Sequence, residues 1–253
     1  MNRQVAERPA ADGFPRYELT AWSAEYGLTA GITAAEVDLG LWTDAPVSGV
    51  MQRWREFRRA QPGFDTVVLA HQVHGTAVLR HDTARGWQIH DGADGHVTTA
   101  RGVLLTVTVA DCIPVYVAAP GHGAVALLHA GWRGTAGGIL GRGLATLMQA
   151  AGCGPEALVM HAGVGICGAC YEVGAEVVEA CGGKAEGEGP WHLDLRSRLA
   201  AEAASLGVAR ITVSPWCTVH DAPRFHSHRA SNGRAGRMVA YLGIPIDGPP
   251  PPG

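Results

Sequence analysis

The sequence predicts a layered α/β or α+β fold, and three observations predict it. The apolar runs 103-VLLTVTV-109, 113-IPVYVAA-119 and 124-AVALLH-129 show little polar alternation, the mark of strands covered on both faces. Segments with apolar residues at helical spacing lie among them. The two kinds of segment mix without a strict βαβ rhythm, which argues against a barrel or a Rossmann domain.

In chain order, residues 1–17 read as a loose N-terminal tail, without an apolar run of strand length. Helices are expected over 46–60, 136–152, 172–182 and 194–207. The second carries Ile139, Leu140, Leu144, Leu147 and Met148 at nearly one-face spacing. Asp194 suits the start of the last and Gly207 its end. Strands are expected over 66–72, 103–109, 113–119, 124–129, 157–163 and 210–214. Residues 246–253 (IDGPPPPG) form a Pro-rich tail that cannot enter a sheet or helix interior. A single domain over 18–245 remains.

Composition narrows the function classes. Hydrophobic residues make up 47% and charged residues 17%, a globular balance rather than a disordered one. A net charge of −3 gives no global basic field, so nucleic-acid binding by bulk charge is excluded. No apolar stretch reaches the roughly 18 residues of a membrane span, so no membrane partner is expected. The N-terminus lacks the apolar region of a secretory signal. The six cysteines therefore read as thiols rather than a disulfide framework, and a cytoplasmic monomer or homodimer is expected.

Three strand ends carry metal-ligand chemistry. The run 67-VVLAHQVHG-75 delivers His74, 103-VLLTVTVADC-112 delivers Cys112, and 124-AVALLHAGWRGT-135 delivers His129. Two imidazoles and a thiolate can converge on one metal and leave a position open, the pattern of catalytic zinc, though the set also suits copper. Spacings of 38 and 17 residues require a folded scaffold; the competing reading is a buried thiol and two ordinary turn histidines. Asp111, beside Cys112, is a candidate base or ligand-orienting group, or a turn cap. Arg133, in the turn Gly131–Gly134, is a candidate anion clamp with neighbouring backbone N–H groups, or a surface arginine.

Two further segments stand out. The run 163-GVGICGACYEVG-174 holds the pair Cys167 and Cys170, which reads as a redox pair, half of a zinc site, or part of a Gly-rich loop lining a pocket, the last being preferred. The run 216-WCTVHDAPRFHSHRASNGRAGR-237 gathers His220, His226, His228, Arg224, Arg229, Arg234 and Arg237. Such a local basic patch in an acidic chain points to an anionic small molecule. On a strand, His226 and His228 would share a face and could chelate; a solvated loop is the alternative.

Taken together, QVHG (72–75), ADC-x-PV (110–115), HAGWRGT (129–135), CYEVG (170–174), HLDL (192–195), CT (217–218) and FHSHR…GRAGRM (225–238) resemble the laccase-domain family. This is the multicopper polyphenol oxidase family, whose bacterial members are described as purine nucleoside phosphorylases. The resemblance spans residues 18–243. It implies two mixed β-sheets packed face to face with helices outside, a four-layer α/β/β/α single domain. It also implies a zinc held by His74, Cys112 and His129. The activities implied are phosphorolysis of adenosine, inosine, guanosine and methylthioadenosine, and adenosine deamination, with purine nucleoside and phosphate as ligands. Cys112, Asp111 and His129 become catalytic candidates; Arg133, Arg229, Arg53, His226 and His228 become substrate or phosphate candidates. This chain departs from many members at Asp38, where they carry asparagine, and at His226 and His228, where they carry aromatics. Two rival chemistries remain: a copper oxidase of phenols drawing on His226 and His228, and a hydrolase with Cys112 as nucleophile and His129 as base.

Overall fold

The computed structural model describes residues 3–82 and 85–247. Among them are two seven-stranded sheets. The first runs, edge to edge, Arg3–Gln4, Arg210–Val213, Val159–Ala162, Ile113–Ala119, Ala124–Ala130, Gly95–Thr98 and Val78–Arg80. The second runs Arg8–Pro9, Arg16–Glu18, Thr29–Thr33, Met238–Gly243, Val103–Val109, Thr66–His71 and Gly86–Asp91. Both are mixed: Thr66–His71 is parallel to both of its neighbours, and Ile113–Ala119 is antiparallel to both of its own.

Side-chain alternation along the central strands explains the layering. Leu105, Val107 and Val109 of one sheet and Tyr116, Ala118, Val125 and Leu127 of the other share an inner core. The intervening Ile113, Val115, Val117, Ala126 and Leu128 face outward, against helices Ile139–Ala151 and Leu195–Ser205. On the far side, Leu104, Val239 and Tyr241 pack against Val50, Trp54 and Phe57 of helix Val47–Arg59. Each large side chain buried there stabilises the docked helix by roughly 1.5–3 kcal/mol. The architecture is therefore α/β/β/α, as the family resemblance implied, and its uniformly apolar strands are covered on both faces.

Several expected elements differ in detail. The helix expected over 136–152 runs Ile139–Ala151, and a short helix that was not expected, Trp132–Ala136, precedes it, set off by the left-handed φ of +83° at Gly138. The segment expected as a helix over 172–182 opens as a strand, Glu172–Val173, paired with Trp191–His192, and only Ala175–Ala180 is helical. Asp194 does cap its helix, accepting from the Ser197 N–H at 3.1 Å.

Residues 3–17 are not a loose tail. Arg3 and Gln4 pair with Thr212 and Val213, and Arg16–Glu18 pairs with Thr29–Thr33. Glu7 is buried, with one oxygen 3.0 Å from His161 Nε2 and the other accepting from Ser214 Oγ at 2.7 Å. Edge pairing and one buried carboxylate hold this segment, and neither leaves an apolar signature. Of the Pro-rich tail, Ile246 donates its N–H to the Gly63 carbonyl, and residues 248–253 lie outside the described residues. Among the described residues no helix is long and apolar enough to cross a membrane.

Candidate metal centre and pocket

Three strand ends meet at one point. His74 follows strand Thr66–His71, Cys112 lies in the connection from Val103–Val109 to Ile113–Ala119, and His129 lies near the end of Ala124–Ala130. One ligand atom from each lies within 4.8 Å of the other two. The rings of His74 and His129 stand edge to face, 4.9 Å between centroids.

The turn geometry is bought with backbone strain. His74 has φ +58° and Asp111 φ +85°, two of the three non-glycine residues with positive φ among those described. Asp94 secures the first. It is fully buried, and its carboxylate accepts from the backbone N–H groups of Val73, His74 and Gly75 at 3.2, 3.0 and 2.7 Å. The same carboxylate lies 2.8 Å from His129 Nδ1. One buried carboxylate thus fixes both histidines and leaves His129 Nε2 for the cluster, the usual outer support of a metal-binding imidazole. Gln72 ties the same turn to the second sheet, since its amide bonds Thr108 through three contacts.

Asp111 is engaged on both oxygens, by Thr218 Oγ1 and by the Arg229 backbone N–H at 2.6 Å. It therefore orients the 217–229 loop, while the ligand-orienting part belongs to Asp94. Sequence reading passed Asp94 over because an aspartate between glycines (92-GADG-95) looks like any turn residue.

Electrostatics sharpen the cluster. Burial alone would push the Cys112 thiol up, but the charge and hydrogen bond of His129, joined by His74, hold it down at about 6. Burial would push His129 down, but the Cys112 thiolate and the Asp94 carboxylate raise it to about 9. Cys112 is thus a thiolate at neutral pH. Two histidines, one thiolate and a carboxylate behind them suit a borderline-soft divalent ion. Gly131 leaves the room: a Cβ there would lie 3.0 Å from Cys112 Sγ and 3.2 Å from His74 Cδ2.

The cluster lies in the wall of a cavity of about 470 Å³. Asp111, Arg133, His228 and Arg229 line it, and so do Arg237, Tyr171 and Trp42. Arg133 lies over the Trp132 ring at 4.4 Å and Arg229 over the Tyr171 ring at 5.4 Å, so both guanidinium planes rest on aromatic supports. Burial, followed by the charge of Cys112, pushes the Tyr171 hydroxyl up to about 12. Trp42 is half-exposed and stacks on His71 with centroids 4.7 Å apart.

Two expected ligand-contact residues do not line this cavity. Arg53 turns its Nε to the Asp38 carbonyl. His226 points inward, where its Nε2 is buried without a partner and burial lowers its pKa. Residues 226–228 are loop rather than strand, so His226 and His228 do not share a face. Cys167 and Cys170 also stay outside the cavity, although their neighbours Ile166 and Tyr171 line it.

With this geometry in place, comparison with known proteins is informative. Residues 25–245 match the family described as multi-copper polyphenol oxidoreductase laccase. The chain belongs to that family. Among curated relatives, the purine nucleoside phosphorylase YlmD of Geobacillus stearothermophilus is 37% identical over 195 residues, covering 70% of this chain and 71% of the relative. The purine nucleoside phosphorylase ORF3 of Streptomyces griseus is 33% identical over 234 residues, covering 87% and 94%. The crystal structure of YlmD from Geobacillus stearothermophilus superposes with a TM-score of 0.83 at 29% identity, covering 94% of this chain and 98% of that one. The sheets and layers described above are those of this family's fold.

Proposed function

We propose that the protein is a zinc-dependent purine nucleoside phosphorylase with adenosine deaminase activity. The observation that carries the reading is an open three-ligand cluster in the wall of a cavity that three arginines also line. The names of its curated relatives support the reaction class.

In phosphorolysis, a phosphate oxygen forms a bond to the anomeric carbon of ribose while the bond to the purine nitrogen breaks. The purine leaves with that bond's electron pair and takes up a proton, giving free base and ribose 1-phosphate. Arg133, Arg229 and Arg237 supply the positive charge that holds phosphate, and their planar donors match its oxygens. Tyr171 stays protonated through neutral pH and serves as a hydrogen-bond donor to the ligand. Trp42, held flat against His71, offers its exposed face to the purine. His74, Cys112 and His129 would hold the zinc, which supplies Lewis-acid charge and lowers the pKa of water to about 7, the chemistry that deamination needs.

A second reading rests on the charge state of Cys112 and His129. A thiolate beside a protonated imidazole is also what a cysteine hydrolase requires. The copper oxidase reading gains less, since among the described residues His226 and His228 join neither ligand cluster.

Adenosine incubated with and without phosphate separates these. Adenine that appears only with phosphate, alongside ribose 1-phosphate, supports the proposal, with inosine reporting the deaminase. No adenine above a Cys112→Ala control overturns it, and a Cys112 ester or amide hydrolase active without metal would replace it.

A further inference from the structure

A second group of metal-binding side chains stands apart from the cavity. One ligand atom from each of Cys167, Cys170, Cys217 and His220 lies within 4.8 Å of the other three. None of the four lines the cavity. We propose that these four residues form a second, structural zinc site.

The donor set and its geometry point the same way. In tetrahedral zinc, with sulfur at about 2.3 Å and nitrogen at about 2.0 Å, ligand atoms sit roughly 3.5–3.8 Å apart, so this group needs only small side-chain shifts. Four protein ligands close the sphere, as in structural sites, whereas the three in the cavity leave it open. The spacing is Cys-x-x-Cys in one segment and Cys-x-x-His in the other, and each arm is a tight turn. The Cys170 N–H donates to the Cys167 carbonyl at 3.0 Å, and the Asp221 N–H to the Cys217 carbonyl at 2.8 Å. The Cys167 N–H points at Cys217 Sγ, 3.3 Å away, a bond that favours a thiolate. His220 bridges the arms, with Nε2 3.1 Å from Cys170 Sγ and Nδ1 3.7 Å from Cys167 Sγ. Asp221 locks the second turn through the Cys217 N–H at 2.8 Å. All four side chains are free to bind, since none of the cysteines is in a disulfide.

The location says what the ion does. The two segments otherwise meet through the isolated bridge between Gly165 and Cys217 and the bond from the Thr218 N–H to the Gly165 carbonyl. The first segment continues into Tyr171. The second contains Thr218, which bonds Asp111, and runs on to His228 and Arg229. A zinc here staples two walls of the cavity together from behind.

This site stands independently of the reaction proposed above, and its test does not use activity. In the full-length His74→Ala/Cys112→Ala/His129→Ala variant, elemental analysis should find one zinc per chain, against two in the unaltered protein. Cobalt substituted into that variant should give the intense tetrahedral thiolate spectrum, and Cys170→Ser/Cys217→Ser should abolish it. Alkylation of the unaltered protein, mapped by mass spectrometry, needs no variant and so covers the case of misfolding. Cys167, Cys170 and Cys217 should be protected as purified and modified after chelation. A triple variant without zinc whose three thiols react without chelator overturns the proposal, as does a Cys167–Cys170 disulfide in the purified protein, which makes the pair a redox dithiol.

Discussion

Asp94 Oδ1 lies 2.8 Å from His129 Nδ1 and accepts the His74 backbone N–H at 3.0 Å. One atom therefore aligns two metal-ligand candidates that are 55 residues apart in the chain (129 − 74). Asp94→Asn keeps the shape but removes the charge and turns an amide N–H towards backbone donors. Zinc affinity of the cavity cluster should fall roughly 10–100-fold, measured by competition with a chromophoric chelator. An unchanged affinity would show that the carboxylate has no hold on the ligands.

Gly131→Ala tests the packing of the same cluster. The added Cβ would meet Cys112 Sγ at 3.0 Å and His74 Cδ2 at 3.2 Å, so those ligands must move. Loss of zinc from the cavity cluster should exceed any loss of fold stability, which misplaced packing of this size holds to about 1–3 kcal/mol. A variant melting normally with full zinc would show that the cluster has slack.

In metal-stripped protein, alkylation of Cys112 should follow a thiolate midpoint near 6. In His129→Ala the larger opposing charge is gone and His74 alone stands against burial, so the midpoint should rise from there. Peptide-resolved alkylation rates from pH 5 to 10 give both numbers, and a midpoint that ignores His129 contradicts the pairing.

The cation assignment separates Arg229 from Arg53. Arg229→Ala should raise KM for phosphate and lower kcat/KM by about 10–100-fold, a loss of roughly 1.4–2.7 kcal/mol. Arg53→Ala should leave the phosphate dependence intact, because Arg53 faces the Asp38 carbonyl instead. Equal losses in both would put phosphate elsewhere.

Acid should weaken the fold through His81 and His96, whose ring nitrogens lie 2.9 Å apart. Burial first, then repulsion from His90, holds His81 at about 4 against the pull of Asp82. Burial first, then His81 and His90, holds His96 at about 3 against the pull of Asp94. Both lie below the unfolded value of 6.5, so between those limits the unfolded chain binds more protons and stability falls with falling pH. Denaturant midpoints should drop between pH 6.5 and 4, and His96→Leu should flatten that slope. A midpoint level through that window would contradict the buried neutral pair.

The parts of the molecule that could be read from the sequence are those with strong local patterns. The layered fold showed in strands such as 103–109 and 113–119, apolar on both faces because each lies between a core and a helix layer, while the pairing of two sheets came from the family resemblance. His74, Cys112 and His129 showed because each ends or follows such a strand. What escaped depends on tertiary contact. Asp94 looks like a turn residue until its buried carboxylate meets the 73–75 backbone. Cys217 and His220 complete the Cys167–Cys170 pair from 50 residues away, a distance no motif spans. Residues 3–17 carry no apolar run, and the buried Glu7 that pins them is invisible as a lone acid. His226 misled because alternation was read into a loop.

The central claim is tested most directly by the release of adenine and ribose 1-phosphate from adenosine plus phosphate, measured on metal-stripped and zinc-reloaded protein. The account predicts ribose 1-phosphate equal to the adenine and hypoxanthine released together by the reloaded protein, and almost no product from the stripped one. Undiminished turnover after stripping, or adenine released without ribose 1-phosphate, would contradict it.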